Sequence, residues 1–213
     1  MKITIIYDNT IFEPGLQSDW GFAALIETRE KTILFDTGSD GSILLCNMDR
    51  LSLNPMDITD VFISHSHFDH IGGLAQFLGI NSRVTVFVPS DLRGIRRADT
   101  VKYMEQEPQE LYPGIYTTGV LQNIEQSLIV KHSHGLALIV GCSHPDMAEI
   151  IRASRTFGRV SAIIGGMHGF KEFELLEDMD LICPTHCTRH IDKIHDLYPD
   201  SYVPGGSGRI IEL

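Results

Sequence analysis

Val61-Phe-Ile-Ser-His65-Ser-His67-Phe-Asp69-His70 decides the reading of this chain. Its first half is a short, β-branched apolar run of the kind that forms a buried strand. Its second half sets three imidazoles and one carboxylate within six residues. Neutral imidazole and carboxylate are the usual ligands of zinc and also suit iron or manganese, and gathering them without a cation to share would be costly. His65 and His67, two apart on extended chain, point the same way. Asp69 and His70 fall where a turn enters the helix expected from Ile71, so they are placed to face a second centre. A polar loop with Asp69 as a helix N-cap is the plainer alternative. The density of ligand types, directly after a buried-type strand, outweighs it.

Working outward, three more apolar runs end in histidine. Leu138-Ile-Val-Gly-Cys-Ser leads to His144, Ala162-Ile-Ile-Gly-Gly-Met to His168, and Leu181-Ile-Cys-Pro-Thr to His186. In layered α/β folds ligands collect outside the carboxyl ends of strands, so four such ends on one rim would make an imidazole-rich site. His144 precedes Pro145, a favoured first helical residue. His132-Ser-His134 repeats half of the first pattern but stands before Gly135 between two strands, and reads as a hairpin turn. His190 and His195 lie on the last helical stretch and read as surface or packing residues. Cys183-x3-Cys187 beside His186 lacks the second half of a zinc knuckle and is not read as one.

The rest of the chain supplies a mixed α/β scaffold. Strands are expected at 2–7, 22–27, 32–35, 61–64, 84–88, 127–131, 136–141, 160–164, 181–183 and 209–212. Helical spacing appears at Leu44, Met48 and Leu51, at Ile71, Leu74, Ala75 and Leu78, at Met147, Ile150, Ile151 and Phe157, and at Ile191, Ile194 and Tyr198. The stretch 93–113 is polar and irregular and reads as a surface excursion. Its Arg93, Arg96 and Arg97 read as a solvated helix face. No linker divides the 213 residues, so one domain over 1–213 is expected.

Composition narrows the function. A net charge of −11 disfavours nucleic acid and anionic membranes as partners. No apolar run approaches the length of a membrane span, and the N-terminus lacks the core of a signal peptide, so a cytoplasmic protein is expected. The four cysteines are not spaced as a secreted disulfide framework.

His-x-His-x-Asp-His followed by separate strand-end histidines resembles the metallo-β-lactamase superfamily, and the resemblance covers nearly the whole chain. Phe35-Asp36-Thr37-Gly38 looks like its first motif, His65 to His70 its second, Gly141-Cys-Ser-His144 its third and Pro184-Thr-His186-Cys187 its fifth. Ile164-Gly-Gly-Met-His168 falls where the fourth belongs. The resemblance implies a four-layer αββα sandwich with a metal site at its edge. It implies one metal on His65, His67 and His144, another on Asp69, His70 and His186, and Asp36 behind them orienting the ligands. The fourth motif ordinarily supplies an Asp bridging both metals. This chain offers His168, and a neutral imidazole has one lone pair to give, so His168 is expected to ligate one ion or hydrogen-bond a bound oxyanion. The second metal should then be the weaker. Gly114-Ile-Tyr-Thr-Thr-Gly119, Val140-Gly-Cys-Ser-His144, His186-Cys-Thr and the ending from Gly206 to Leu213 are similar to a narrower branch. That branch comprises 7,8-dihydropterin-6-methyl-4-(β-D-ribofuranosyl)aminobenzene-5′-phosphate synthase and related metal-dependent hydrolases.

The implied chemistry is hydrolysis. Two divalent ions, zinc first with iron or manganese as alternatives, would hold a hydroxide for attack on a phosphoryl or acyl centre of a small molecule. Asp69 and His168 are the candidate catalytic residues. Asn9, Arg189 and Arg209 are candidates for binding a substrate that carries phosphate. A dihydropterin-type transferase with a pyrophosphate leaving group is the alternative. A diiron electron-transfer or non-catalytic module is a distant third. Export-dependent β-lactamase activity and nuclease activity are disfavoured by the N-terminus and the charge.

Overall fold

A computed structural model describes every residue from Met1 to Leu213. The chain forms two compact units, Met1–Glu105 with Gly205–Leu213, and Gln106–Pro204.

The first unit is built on a seven-stranded sheet ordered β13-β1-β2-β3-β4-β5-β6. Its strands are β1 (Lys2–Tyr7), β2 (Ala23–Glu27), β3 (Thr32–Phe35), β4 (Asp60–Phe62), β5 (Thr85–Pro89) and β6 (Thr100–Met104), closed by β13 (Ile210–Glu212). The pairs β13–β1, β1–β2 and β2–β3 are antiparallel, whereas β3 to β6 run parallel. In the parallel half, Phe35, Phe62 and Phe87 stand in register on neighbouring strands and are buried. The helices α1 (Gly41–Arg50), α2 (Phe68–Ile71) and α3 (Leu74–Ile80) belong to this unit. Asp40 starts α1 by accepting the Ser42 N–H. Leu44 and Met48 of α1, one helical turn apart, join Phe77 and Leu78 of α3 over Val61, Ile63, Val84 and Val86.

The second unit holds a six-stranded sheet ordered β12-β11-β10-β9-β8-β7. Its strands are β7 (Gln109–Tyr112), β8 (Ile115–Thr117), β9 (Leu128–His132), β10 (Gly135–Val140), β11 (Val160–Gly166) and β12 (Leu181–Thr185). From β7 to β10 the pairing is antiparallel, and β10, β11 and β12 are parallel. Met147, Ile150 and Ile151 of α4 (Met147–Ser154) and Ile194 of α5 (Ile191–Leu197) pack against Leu138, Val140, Ile163 and Ile182.

Parallel pairing is what positions the chemistry. In the first unit β3 and β4 are parallel, so Asp36 and His65 leave the same edge of their sheet. In the second, β10, β11 and β12 deliver His144, His168 and His186 beyond one carboxyl edge. All strands read from the sequence are present, with ends moved by a residue or two.

Three differences stand out. The stretch read as irregular contains β6, β7 and part of the turn into β8. β6 and β7 are the terminal strands of their sheets and half-exposed, so their sequences carry charge and amide side chains rather than an apolar run. Arg93, Arg96 and Arg97 lie on irregular chain, not on a helix, and Arg93 caps the Tyr103 ring at 4.1 Å. Pro145 stands outside α4, whose N-cap is Asp146, and His67 rather than Asp69 holds the N-cap of α2. The hairpin at His132 is as expected: Ser133 and His134 form the turn, and His132 pairs with Gly135. No helix is long and apolar enough to cross a membrane.

Candidate metal centre

In the first unit the cluster is organised by a buried carboxylate. Asp36, fully buried and in a left-handed conformation (φ 53°), accepts the Ser64 backbone N–H and the Ser64 hydroxyl, each at 2.7 Å. It also lies 2.7 Å from Nδ1 of His70. A carboxylate only accepts, so His70 carries its proton on Nδ1 and turns a lone pair outward on Nε2. Ser64 Oγ, having spent its proton on Asp36, accepts from Nδ1 of His65 at 2.9 Å. His65 therefore also presents Nε2 as a lone pair. That nitrogen lies 3.1 Å from Nδ1 of His67, and the His65 and His70 rings are 4.1 Å apart. Two nitrogens sharing one tetrahedral cation at ~2.0–2.1 Å lie about 3.3–3.4 Å apart, so the donors fit such an ion. Asp69 Oδ2 is 3.9 Å from His70 Nε2 and accepts the Trp20 indole N–H at 2.8 Å.

In the second unit a buried acid holds the loop that carries His144. Glu125 accepts the backbone N–H groups of Cys142 (2.9 Å), Ser143 (3.2 Å) and His144 (2.9 Å), fixing a turn in which Ser143 is left-handed (φ 56°). The rings of His144 and His168 are 5.3 Å apart, so His168 stands beside His144. Both border a cleft of about 250 Å³ with Met147, Met167, Phe170 and Glu172. His168 and His186 also occupy left-handed backbone (φ 41° and 49°), which non-glycine residues hold only when the surroundings enforce it. His186 is buried and belongs to a cluster with Cys142 and Cys187 whose ligand atoms lie within 4.8 Å of one another. The pKa of the Cys187 thiol is lowered to about 5, chiefly by its hydrogen bond with Cys142 and also by the neighbouring His186 and His168, against the raising effect of burial.

The other candidates are placed less tellingly. Asn9 Oδ1 accepts the Gly21 N–H at 3.1 Å and so fastens the loop beside Trp20. Arg189 is exposed, and its backbone N–H donates to the His168 carbonyl at 2.9 Å. Arg209 lies over the Phe12 ring at 4.7 Å with its Nε buried and without a hydrogen-bond partner. His132 bonds Ser161 Oγ at 2.8 Å, while His190 and His195 contact Phe173 and Tyr202. Ser64, Glu125, Trp20 and the Cys142–Cys187 pair escaped the sequence reading. Ser64 and the cysteines carried a signal, because each adjoins or nearly adjoins a strand-end histidine, whereas Glu125 and Trp20 carried none.

A family model described as the metallo-β-lactamase superfamily matches residues 21–148, more than half of the chain. The chain belongs to this superfamily. It is 26% identical to 7,8-dihydropterin-6-methyl-4-(β-D-ribofuranosyl)-aminobenzene-5′-phosphate synthase of Methanocaldococcus jannaschii, with 87% of this chain and 86% of that protein covered. A Ribonuclease Z of Treponema pallidum is 35% identical over 83 residues, covering 39% of this chain and 25% of that enzyme. The crystal structure of Tm1679, a metal-dependent hydrolase of the β-lactamase superfamily, superposes with a TM-score of 0.79 at 22% identity. It spans 100% of this chain and 99% of that one. The mixed α/β fold with two sheets is therefore that of the metallo-β-lactamases. Members of the superfamily act with metals, and this chain carries His, Asp and Cys groups suited to holding them.

Proposed function

We propose that this protein is a metal-dependent hydrolase in which 1–213 acts as one domain on the phosphoryl or acyl centre of a small molecule. The observation that carries the reading is the buried Asp36 that fixes the tautomers of His70 directly and of His65 through Ser64. Such a relay is of use where the opposite ring nitrogens must bind a cation. His65, His67 and His144 are assigned to one divalent ion, and Asp69, His70 and His186 to a second, with zinc the first choice. When bound, the ions would lower the pKa of water and polarise a substrate oxygen. Asp69 would orient the attacking water and take up its proton on the carboxylate. His168, on the wall of the cleft, would donate from its ring to an oxyanion on the substrate. The apolar side chains of Met147, Met167 and Phe170 would exclude water around the substrate body.

A second reading is favoured by one observation, the similarity over most of both chains to the synthase from Methanocaldococcus jannaschii. There the same residues would serve a transfer that releases pyrophosphate, with water kept out. One experiment separates the two. Elemental analysis of the purified protein is followed by a panel of phosphate monoesters, diesters and lactones, and by a pyrophosphate assay with a dihydropterin pyrophosphate and an arylamine. Metal-dependent turnover of simple esters supports the hydrolase. Inertness toward all of them with pyrophosphate release supports the transferase.

A further inference from the structure

Cys142, His186 and Cys187 are drawn together in the second unit from two different strand ends, β10 and β12. Each is buried, at 3%, 7% and 7% exposure, and neither cysteine is in a disulfide. Their sulfurs are 3.3 Å apart. Two sulfurs on one tetrahedral zinc, each at ~2.3 Å, stand about 3.7–3.8 Å apart. The pair therefore needs to open by only a few tenths of an ångström to hold a cation between them. Gly166 of β11 makes room for the Cys187 sulfur, since a Cβ there would sit 2.8 Å from it. Cys142 is fixed from behind by Glu125, through its backbone N–H. His186 is held in its left-handed turn next to Cys187.

We propose that Cys142, Cys187 and His186 form a sulfur-bearing cation site that takes a thiophilic divalent ion such as zinc, cobalt or cadmium. This rests on the reading of His186 as a metal ligand and gives the ion it holds a sulfur donor set. On loading, each thiol releases its proton to solvent as a sulfur–metal bond forms, and no oxidant or reductant is consumed. Thiolate ligands select against magnesium, calcium and manganese, which prefer oxygen. Cysteine 183, three positions from the nearer ligand pair in sequence, is not part of the cluster.

The full-length protein, kept reduced, is titrated with Co²⁺ and followed by absorption. A thiolate-to-cobalt charge-transfer band in the near ultraviolet is expected in the wild type and in His65→Ala. It should be lost or at least halved in Cys142→Ser and in Cys187→Ser. Zinc-edge X-ray absorption on the unmutated protein guards against variants that fail to fold, with sulfur expected at ~2.3 Å from the metal. Cobalt bound with visible d–d bands and no sulfur band, or a zinc edge showing only nitrogen and oxygen, overturns the proposal and leaves the hydrolase reading standing. A sulfur band with no loss of bound metal in His65→Ala supports the proposal and removes the His65 assignment. No bound cobalt at all overturns both.

Discussion

The indole N–H of Trp20 donates to Oδ2 of Asp69 at 2.8 Å, although the Trp20 side chain is 58% exposed. An aromatic residue in water has little reason to hold one rotamer unless its polar edge is anchored. Behind it, Gly21 packs against the Asp69 carbonyl and Phe22 donates to it, so the whole turn follows Asp69. Trp20 is also the single tryptophan of the chain. Its fluorescence should therefore report on what Asp69 binds. Zinc added to stripped protein is expected to change the emission, and Asp69→Ala should abolish the change. Constant emission during demonstrable metal uptake would separate Trp20 from the metal.

Asp36 is the buried hub of the first unit, and its replacement should be expensive. Asp36→Asn places an amide NH2 either at Oδ2, where the Ser64 hydroxyl and the His70 Nδ1 both now donate, or at Oδ1, where the Ser64 N–H does, setting donor against donor. Leaving such groups unsatisfied costs about 2–4 kcal/mol, a fall in Tm on the order of 5–15 °C for a chain of this size. The tautomers of His65 and His70 are no longer imposed, so zinc affinity should drop by about 10–100-fold. Calorimetry and a competitive chelator titration measure the two effects separately. An unchanged affinity in a destabilised variant would reduce Asp36 to a structural role.

Glu125 offers the matching test in the second unit. Glu125→Gln retains one acceptor oxygen for three backbone donors, so at least one N–H of the 142–144 loop loses its partner. A destabilisation of about 1–3 kcal/mol is expected. Because His144 moves with that loop, kcat and the affinity for the ion assigned to His144 should both fall, while the ion assigned to Asp69, His70 and His186 is retained. Metal content measured alongside turnover distinguishes this from global unfolding.

The histidine cluster and the parallel strands were legible because each has a local signature. Ligand-type residues two to five apart are visible in one glance at the sequence, and fully buried parallel strands such as β10 and β11 are nearly uninterrupted apolar runs. Other elements are set by partners distant in the chain. Glu125 lies 17 residues or more before the loop it holds, and its neighbours Ile124 and Gln126 give no hint of burial. Cys142 and Cys187 are 45 residues apart and meet only because β10 and β12 flank β11. The edge strands β6 and β7 were missed for the opposite reason, since their exposed sides are polar and imitate a loop.

His132 supplies a pH prediction and a control. Burial lowers its pKa below the usual imidazole value, and the neighbouring His134 lowers it further, against the raising effect of Asp180. Above about pH 6.5 the ring is neutral in both folded and unfolded chains, so its contribution to stability is fully present. As pH falls through that value the unfolded chain takes up the proton first, and stability declines toward the lowered folded-state pKa. His132→Asn should therefore flatten the acid side of a plot of Tm against pH below about 6.5. Metal content should be unchanged, since His132 sits at a hairpin and bonds Ser161. Loss of metal in this variant to the same extent as in His65→Ala would defeat the assignment of ligands by strand end.

His168 stands where the family resemblance implies a bridging Asp, and the proposed role for it is testable from its neighbourhood. The ring stands 5.3 Å from that of His144 on the wall of the cleft, on a backbone held at φ 41°. A single neutral lone pair cannot bridge two cations, but an imidazole N–H can stabilise an oxyanion, an effect worth about 10²–10³ in kcat where such donors have been removed. His168→Ala should lower kcat by about that factor with the first metal still bound and KM little changed. His168→Asp should tighten the second ion, because a carboxylate can span both, yet leave activity low for want of the donor. The two variants therefore move metal affinity differently while moving kcat alike. Equal metal affinity in both, or a wild-type rate in His168→Ala, would leave His168 as no more than part of the wall.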